Sequence, residues 1–589
     1  MMCVFLGYPD IIVACARITS RRAIAELKGS YHQPEGRLMI FAHWRLATVV
    51  FGSFLLFGQP AISAESLTVQ QWRQDLKTFV EQAPKIHKNL FHSLTREEFE
   101  AAVQGLSARI PTLSRNQIIV ELARIMAKVG DGHSYIPLIA SPVSFRRYPI
   151  KLYEFPDGVY VVAADPKYKT ILGGRVVEVG NRPFDRAYRA ISEIVPRDNA
   201  MQVKQVAPNY ASIAEVLDGL GLADDVENLT LTVVKDGKRV KARLHPGAPG
   251  QAHFYPWGTE AGWEDARAAG VPTPPWLQAP GDAYWFKYLP EEKILYVQFN
   301  EVSNKDAETL EAFFKRMMAF AEANPVDRFV LDVRLNGGGN NYFNRPIVHG
   351  FIRSHKINQP GRLFTIIGRQ TFSAAMNFVN AMKLNTQTLF VGEPTGARPN
   401  MYGDNASLIL PNSRIAVRLS TLWWQDMPPT DVREHQAPDL AADLTIADYL
   451  AGRDPALEVI KRYDPRQSPL LGVRSAVSRR DWAAAKRGVS AYKTNPLYRY
   501  ASLEEFLSSL GDELLGKKSF DEAIEVFKLT VEAYPDSWNA YDNLAEAYAA
   551  RRDEGKGDLR LAEQNYQKSL RLNPNNVRAT AALEQLKQR

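Results

Sequence analysis

The sequence predicts a multidomain α+β protein. Three observations carry that prediction. At 589 residues the chain is too long for one hydrophobic core. Apolar residues recur at helical period over 66–130 and again beyond 468. Between these stretches, short β-rich runs over 145–246 give way to near-continuous apolar runs that alternate with helical patterns over 282–462.

Composition narrows the class. Hydrophobic residues make up 45% and charged residues 23%, which excludes a mainly disordered or collagen-like chain. The balance of 72 basic against 65 acidic residues gives +7, too weak at this length to suggest a nucleic-acid partner. The only cysteines are Cys3 and Cys15, so no disulfide framework is available downstream. The ten histidines show no metal-ligand spacing, and neither a metal nor an organic cofactor is expected.

Residues 39–64 read as a signal peptide. Arg45 supplies the positive end, and Leu46 to Gly58 is a mostly apolar run of 13 residues, too short to span a bilayer. Pro60 follows, and Ile62-Ser63-Ala64 ends in a small residue suited to cleavage. The 38 residues upstream are unusual for a leader. Met39 is expected to be the true start and 1–38 an upstream extension; the alternatives are a long n-region or an uncleaved anchor. The first 64 residues hold six basic and three acidic residues, so +4 of the +7 remains after their removal. A mature chain without cysteine suits an oxidising compartment, periplasmic or secreted, with no stable membrane span.

The mature chain divides as follows. Over 65–144, Thr68, Thr95 and Ser114 stand three residues before Gln71, Glu98 and Gln117, the spacing of capping boxes that open helices. The third helix stops at Gly130. Over 145–246, Val159 to Val162 and Val176 to Val179 read as strands, and Leu229 to Val234 with Val240 to Leu244 flank an Asp236-Gly237 hairpin turn. Residues 247–281 are rich in Pro, Gly and Trp and read as a linker. Over 282–467, Ile294 to Phe299, Phe329 to Val333, Phe364 to Ile367 and Thr388 to Val391 read as strands buried on both faces, separated by helices at 306–323 and 371–384. Over 468–589, Pro496, Pro535 and Pro574 recur every 39 residues. With Leu510, Gly511, Ala523, Phe527 and their later counterparts, this region resembles tetratricopeptide repeats, whose period is about 34; the alternative is an ordinary helical bundle. Extra residues fall near Tyr498 to Leu503 and Arg551 to Asp558. Stacked helix pairs present a concave surface for a protein partner.

Three separated segments carry the chemistry. They are Gly130-Asp131-Gly132-His133-Ser134, the turn Asp332-Val333-Arg334-Leu335-Asn336-Gly337-Gly338-Gly339, and Gly368-Arg369-Gln370-Thr371-Phe372-Ser373-Ala374-Ala375. The last two follow predicted parallel strands, where ligand sites of α/β sheets lie. Ser373 falls at a helix start, where free N–H groups favour developing negative charge. Alone, each segment has an ordinary reading: a turn, an N-cap, and a histidine at a helix end.

Together they resemble the tail-specific (C-terminal-processing) serine proteases and their tricorn-core relatives. That family's D-x-R-x-N-x-G-G is matched by Asp332 through Gly339, its T-x-S-A by Thr371 through Ala374, and its G-E-x-T by Gly392-Glu393-Pro394-Thr395. The resemblance covers roughly 66–462. It implies a PDZ-like module over 145–246, resting on Ile171 through Gly180, and an α/β crotonase-like serine protease core over 282–467. It implies Ser373 as nucleophile and the N–H groups of Gly338 and Ala374 as oxyanion hole. The Ser/Lys branch carries a base lysine just after G-E-x-T; Gly396-Ala397-Arg398 stands there, and arginine stays protonated. Lys383 lacks motif support. His133, in D-G-H, matches the tricorn-like branch and is the candidate base, with His435 as rival. The serine that precedes that branch's histidine is replaced by Gly132. Glu434 is the candidate to orient His133, with Asp131 and Asp439 as alternatives.

The implied activity is hydrolysis of peptide bonds in a peptide or protein substrate by an exported serine-type endopeptidase. The alternatives are a catalytically lapsed core serving as a binding scaffold and a hydrolase of non-peptide esters or amides. Tyr284-Trp285-Phe286 and Trp423-Trp424 either line a substrate groove or belong to the core.

Overall fold

The first helices form where the sequence caps them. In this computed structural model, which describes residues 67–249, 257, 260–553 and 558–587, α1 (Val69–Ile86), α2 (Arg96–Arg109) and α3 (Arg115–Ala127) open on Thr68, Thr95 and Ser114, each with both capping-box bonds made. The extension, the leader and both cysteines expected over 1–64 lie outside the described residues. Among the described residues, no helix is long and apolar enough to cross a membrane.

An antiparallel sheet follows, built from β1 (Ile150–Phe155), β2 (Gly158–Ala164), β3 (Arg175–Val179) and β4 (Arg182–Pro183), then, after α4 (Phe184–Ser192), α5 (Ala200–Tyr210) and α6 (Ala214–Gly219), from β5 (Leu229–Lys235), β6 (Lys238–Leu244) and β7 (Glu264–Asp265). Its order is β1-β2-β3-β5-β6, with β4 on β3 and β7 on β2. The β5–β6 turn holds Asp236 and Gly237 both at positive φ, as a type I′ turn requires. The stretch expected to be a linker contributes β7 and the short α7 (Pro275–Gln278).

The second sheet carries β8 (Tyr284–Leu289), β9 (Ile294–Phe299), α8 (Leu310–Ala323), β10 (Arg328–Asp332), α9 (Asn344–Arg353), β11 (Leu363–Ile367), α10 (Ala374–Asn385) and β12 (Leu389–Gly392). A long hairpin, β13 (Asn400–Ile409) and β14 (Ala416–Gln425), leaves the sheet before β15 (Leu440–Ala441), α11 (Ile446–Leu450) and α12 (Pro455–Arg462). The order is β15-β12-β11-β10-β9-β8, parallel except for β8 on β9. One face packs on α8, α9 and α10 through Phe313, Phe351 and Phe378; the other packs on α12 through Leu457 and Ile460. β9 and β11 are buried at every residue, which is why they read as unbroken apolar runs. Tyr284 is fully buried in this core, whereas Trp423 is exposed.

The hairpin departs from the sequence reading. Its inner residues Leu408, Val417 and Leu419 join one core with α1–α3 and the first sheet, so three stretches of the chain share packing. The tail pairs α13 (Pro469–Ser478) with α14 (Trp482–Thr494), α15 (Leu503–Gly516) with α16 (Phe520–Ala533), and α17 (Trp538–Arg551) with α18 (Asp558–Leu572), before α19 (Val577–Lys587). Pro496, Pro535 and Pro574 each fall two residues past the second helix of a pair, where proline blocks continuation. A Cβ on Gly511 would stand 2.3 Å from the Phe527 ring, so glycine sets the α15–α16 approach.

Candidate active site

The glycine turn is pinned before it reaches the serine. Buried Asp332, at the end of β10, accepts from Tyr296 Oη at 2.6 Å and from Arg334 Nε at 3.0 Å, and Arg334 continues to Asp454 at the start of α12. Asn336 Nδ2 donates to the Phe299 carbonyl, and its Oδ1 accepts from Gly338 N–H at 2.9 Å. Gly338 has φ +111°, and a Cβ there would stand 2.6 Å from Ser373 Cβ and 3.0 Å from Ala374 N. Only glycine lets the turn lie against the serine.

The serine turn is held as firmly. Thr371 Oγ1 donates to the Val333 carbonyl, and Phe372 N–H to the Asn336 carbonyl. Arg369 makes two bonds to Glu393 of the G-E-P-T segment, at 2.8 and 2.7 Å, and reaches the Glu154 carbonyl of β1. Ser373 has φ +53° and ψ −130°, a conformation costly for a residue with a Cβ. It precedes α10 but makes no side-chain cap bond. Its hydroxyl is therefore spared the capping role that serine usually takes at a helix start. No acceptor for Ala374 N–H occurs among the described residues.

The histidine arrives from α3. The turn after Gly130 lays the His133 ring on Phe372, centroids 4.3 Å apart and 23° from parallel, so His133 sits beside the residue that precedes Ser373. His133 is buried, and neither ring nitrogen has a hydrogen-bond partner among the described residues. Ser373 and His133 share the site without a hydrogen bond between them. Burial pushes the imidazole below its usual pKa; the Asp131 and Asp404 charges and the Tyr402 backbone carbonyl partly offset this.

The chain brings Ser373, His133, Gly338 and Ala374 together, with two corrections. Glu434 does not hydrogen-bond His133: its side chain is 63% exposed, and its carboxylate lies 3.6 Å from Arg398 Nη2. Gly338 N–H is committed to Asn336 Oδ1, whereas Gly339 N–H meets no acceptor among the described residues. The other cations are engaged elsewhere. Arg398 Nε donates to the Asp198 carbonyl, and Lys383 pairs with Glu505 of α15.

Sequence reasoning missed the histidine's surroundings. Asp131 accepts from His87 Nε2 at 2.8 Å, Ser134 Oγ at 2.5 Å, Ser420 Oγ at 3.0 Å and His133 N–H at 2.7 Å. Asp198 accepts Gly132 N–H at 2.8 Å. The β13–β14 hairpin flanks the ring through Gly403, and Asn405 Nδ2 donates to the His133 carbonyl. The one available signal was the Gly403-Asp404-Asn405 break in an extended run. A cleft of about 440 Å³, bounded by Gly337, Gly338, Gly339, Asn300 and Gln370, opens against the glycine turn. Among the described residues, no cluster of histidine, cysteine or carboxylates could hold a metal.

No family model and no curated relative matches the chain. Solved structures do. The chain is similar to mature CPAF complexed with lactacystin at 13% identity and TM-score 0.48, over 67% of this chain and 98% of that one. It is similar to the photosystem II D1 C-terminal processing protease at 14% and 0.33, over 67% and 97%. It is similar to the tricorn protease at 14% and 0.32, over 67% and 36%. These neighbours are tail-specific and tricorn-like serine proteases, the group that the motifs resemble.

Proposed function

We propose that the chain is an exported serine-type peptidase that cleaves peptide bonds through an acyl-enzyme on Ser373, with His133 as general base. One observation carries the reading. Ser373 is held at positive φ, without a cap bond, where the Gly338 turn lies too close to leave room for a Cβ and Ala374 N–H has no acceptor among the described residues. A strained serine with a free hydroxyl at a helix start is arranged for attack.

The chemistry follows from the groups present. Ser373 Oγ bonds to the scissile carbonyl carbon while His133 takes its proton. Ala374 N–H and the glycine turn hold the oxyanion, with Gly338 N–H shared with Asn336 or replaced by Gly339 N–H. The C–N bond breaks as His133 returns the proton to the leaving amine. Water then attacks the acyl carbon, His133 takes its proton and passes it to Ser373 Oγ, and the acid departs. Burial keeps His133 neutral and able to accept near pH 7. The open Ser373–His133 geometry suits a site that tightens on substrate. It also favours the second reading, a lapsed core that serves as a scaffold. In either case the leader over 39–64 supports export, and the helical repeats suit a protein segment.

The test is labelling of the purified chain from Glu65 by a fluorophosphonate, with Ser373→Ala and His133→Ala alongside. Wild type should label at Ser373 and neither variant should. A folded wild type that stays unlabelled points to the scaffold. A labelled enzyme that cuts no peptide in a mixed library, yet turns over esters, points to a non-peptide hydrolase.

A further inference from the structure

The cleft on the glycine turn is continuous with the serine site. Val302 N–H donates to the Gly338 carbonyl at 2.8 Å, and the Val302 carbonyl accepts Asn340 N–H at 2.8 Å. A Cβ on Gly339 would stand 2.3 Å from that Val302 oxygen, and one on Gly338 would stand 2.6 Å from Ser373 Cβ. The segment after β9 therefore runs along the turn, and the turn runs along the serine. Glu301, the residue before Val302, lines the cleft. The wall at 280–283 is tied to the same segment. Asn300 Nδ2 donates to the Pro280 and Asp282 carbonyls, and Glu301 N–H donates to the Ala283 carbonyl.

The charges that line this cleft have one sign. Asp282 and Glu301 border it, and among the described residues no lysine, arginine or histidine does. Asp282 is already compensated: Lys305 Nζ donates to its Oδ1 at 2.7 Å and to the Tyr284 carbonyl at 2.9 Å. Glu301 is exposed, and its carboxylate has neither a hydrogen bond nor an ion pair among the described residues. The guanidinium groups of Arg398 and Arg433 line a different pocket, beside Gly130 and Tyr402. Trp257 and Leu335 are buried and give the cleft an apolar wall. An apolar wall beside an uncompensated carboxylate suits an apolar stem that ends in a cation. The volume of about 440 Å³ has room for such a side chain.

We infer that this cleft selects the substrate and that Glu301 is its specificity-determining residue, so that the preferred peptides carry a cationic group beside the scissile bond; the inference rests on the reading of Ser373 as the nucleophile of a peptidase. The cation is a lysine or arginine side chain, or a free N-terminal amine. The glycine turn borders both the serine and the cleft, so a carbonyl held on the turn brings the neighbouring residue of its peptide to the cleft. A cation there pairs with Glu301, whereas a carboxylate would meet two like charges. Binding of that neighbouring residue helps to hold the scissile bond at Ser373.

The test is cleavage of a mixed peptide library, with free and with acetylated N-termini, by the chain from Glu65 as wild type, Glu301→Gln, Glu301→Lys and Glu434→Gln, with fluorophosphonate labelling alongside. Wild type should cut peptides that present a cation beside the scissile bond about fivefold or more faster than matched leucine peptides, and the preference should shrink at high salt. A preference carried by the N-terminal amine should vanish on acetylation, and one carried by a side chain should survive it. Glu301→Gln should lose the preference, mainly through KM. Glu301→Lys should turn it towards acidic peptides, a reversal that a merely structural role would not produce. Glu434→Gln, an exposed carboxylate outside the cleft, should keep the wild-type preference. A wild type that labels at Ser373 and cuts peptides without favouring a cation, or a Glu301→Gln variant that keeps the full preference, overturns the inference and leaves the nucleophile standing. A labelled wild type that cuts no peptide overturns the inference together with the peptidase reading. A folded wild type that does not label overturns the nucleophile as well.

Discussion

Two buried carboxylates meet at the His133 turn and are shifted in opposite directions. Burial would raise Asp131, but hydrogen bonds from His87 and Ser134 prevail and hold it at about 2. Among the described residues, the Asp198 carboxylate accepts only backbone N–H groups, from Gly132 and Arg398, and burial together with the Asp131 charge pushes it up to about 7. The two act oppositely on stability. The contribution of Asp131 is present above the unfolded value of 3.8 and is lost as pH falls towards 2. That of Asp198 is full below 3.8 and is lost as pH rises towards 7. Asp198→Asn keeps an oxygen for Gly132 N–H and removes the buried charge. It should melt higher than wild type, by a margin clearly larger at about pH 8 than at about pH 5. A margin that does not change with pH would show that Asp198 is not the group that titrates. This pair was not legible in the sequence, because 67 residues separate its members and only packing brings them together. The close approach of the Gly338 turn to Ser373 and Ala374 was legible because short motifs fix local backbone. Glu434 makes no hydrogen bond to His133, and nothing local in the sequence ties a carboxylate to a histidine three hundred residues away.

At the scale of elements, legibility followed burial. β9 to β12 are enclosed on both faces and read directly. β13 alternates irregularly and kinks at Asp404, so no strand period marked it, although it carries the histidine's neighbours. Its far end is clamped by α1. Buried Asp75 accepts Asn412 N–H at 2.8 Å, Asn412 Nδ2 at 3.0 Å and Ser413 N–H at 2.8 Å, which closes the hairpin turn on the helix. Asp75→Ala would strand these donors, at a cost of about 2–3 kcal/mol. The variant should melt several degrees lower and, if the clamp sets the hairpin's position, label more slowly at Ser373. A lower melting temperature with unchanged labelling would show that the hairpin holds the histidine without help from α1.

For the whole molecule, the proline period announced the tail but not where it docks. The turn between the first two helix pairs meets the core: Leu497 and Tyr498 pack on the face formed by Ile294, Val391 and Ile460. Asp443 accepts Tyr500 Oη at 3.0 Å and lies 2.6 Å from Arg499 Nη2. Glu505 of α15 approaches Lys383 and Arg433, at 3.3 and 3.8 Å. These last pairs are exposed and contribute little. The apolar contact is the stronger tie, worth about 1–2 kcal/mol for each half-buried side chain. The tail is therefore a cover on the sheet as well as an array. Ending the chain after Gln467 should lower the melting temperature of the core. Ending it after Tyr534 removes the later helices, keeps the contact, and should not. Tyr498→Ala in the full chain should reproduce part of the first effect. If both truncations melt alike, the tail hangs from the core by its linker alone, and a ligand on the repeats would have no packed route to the serine.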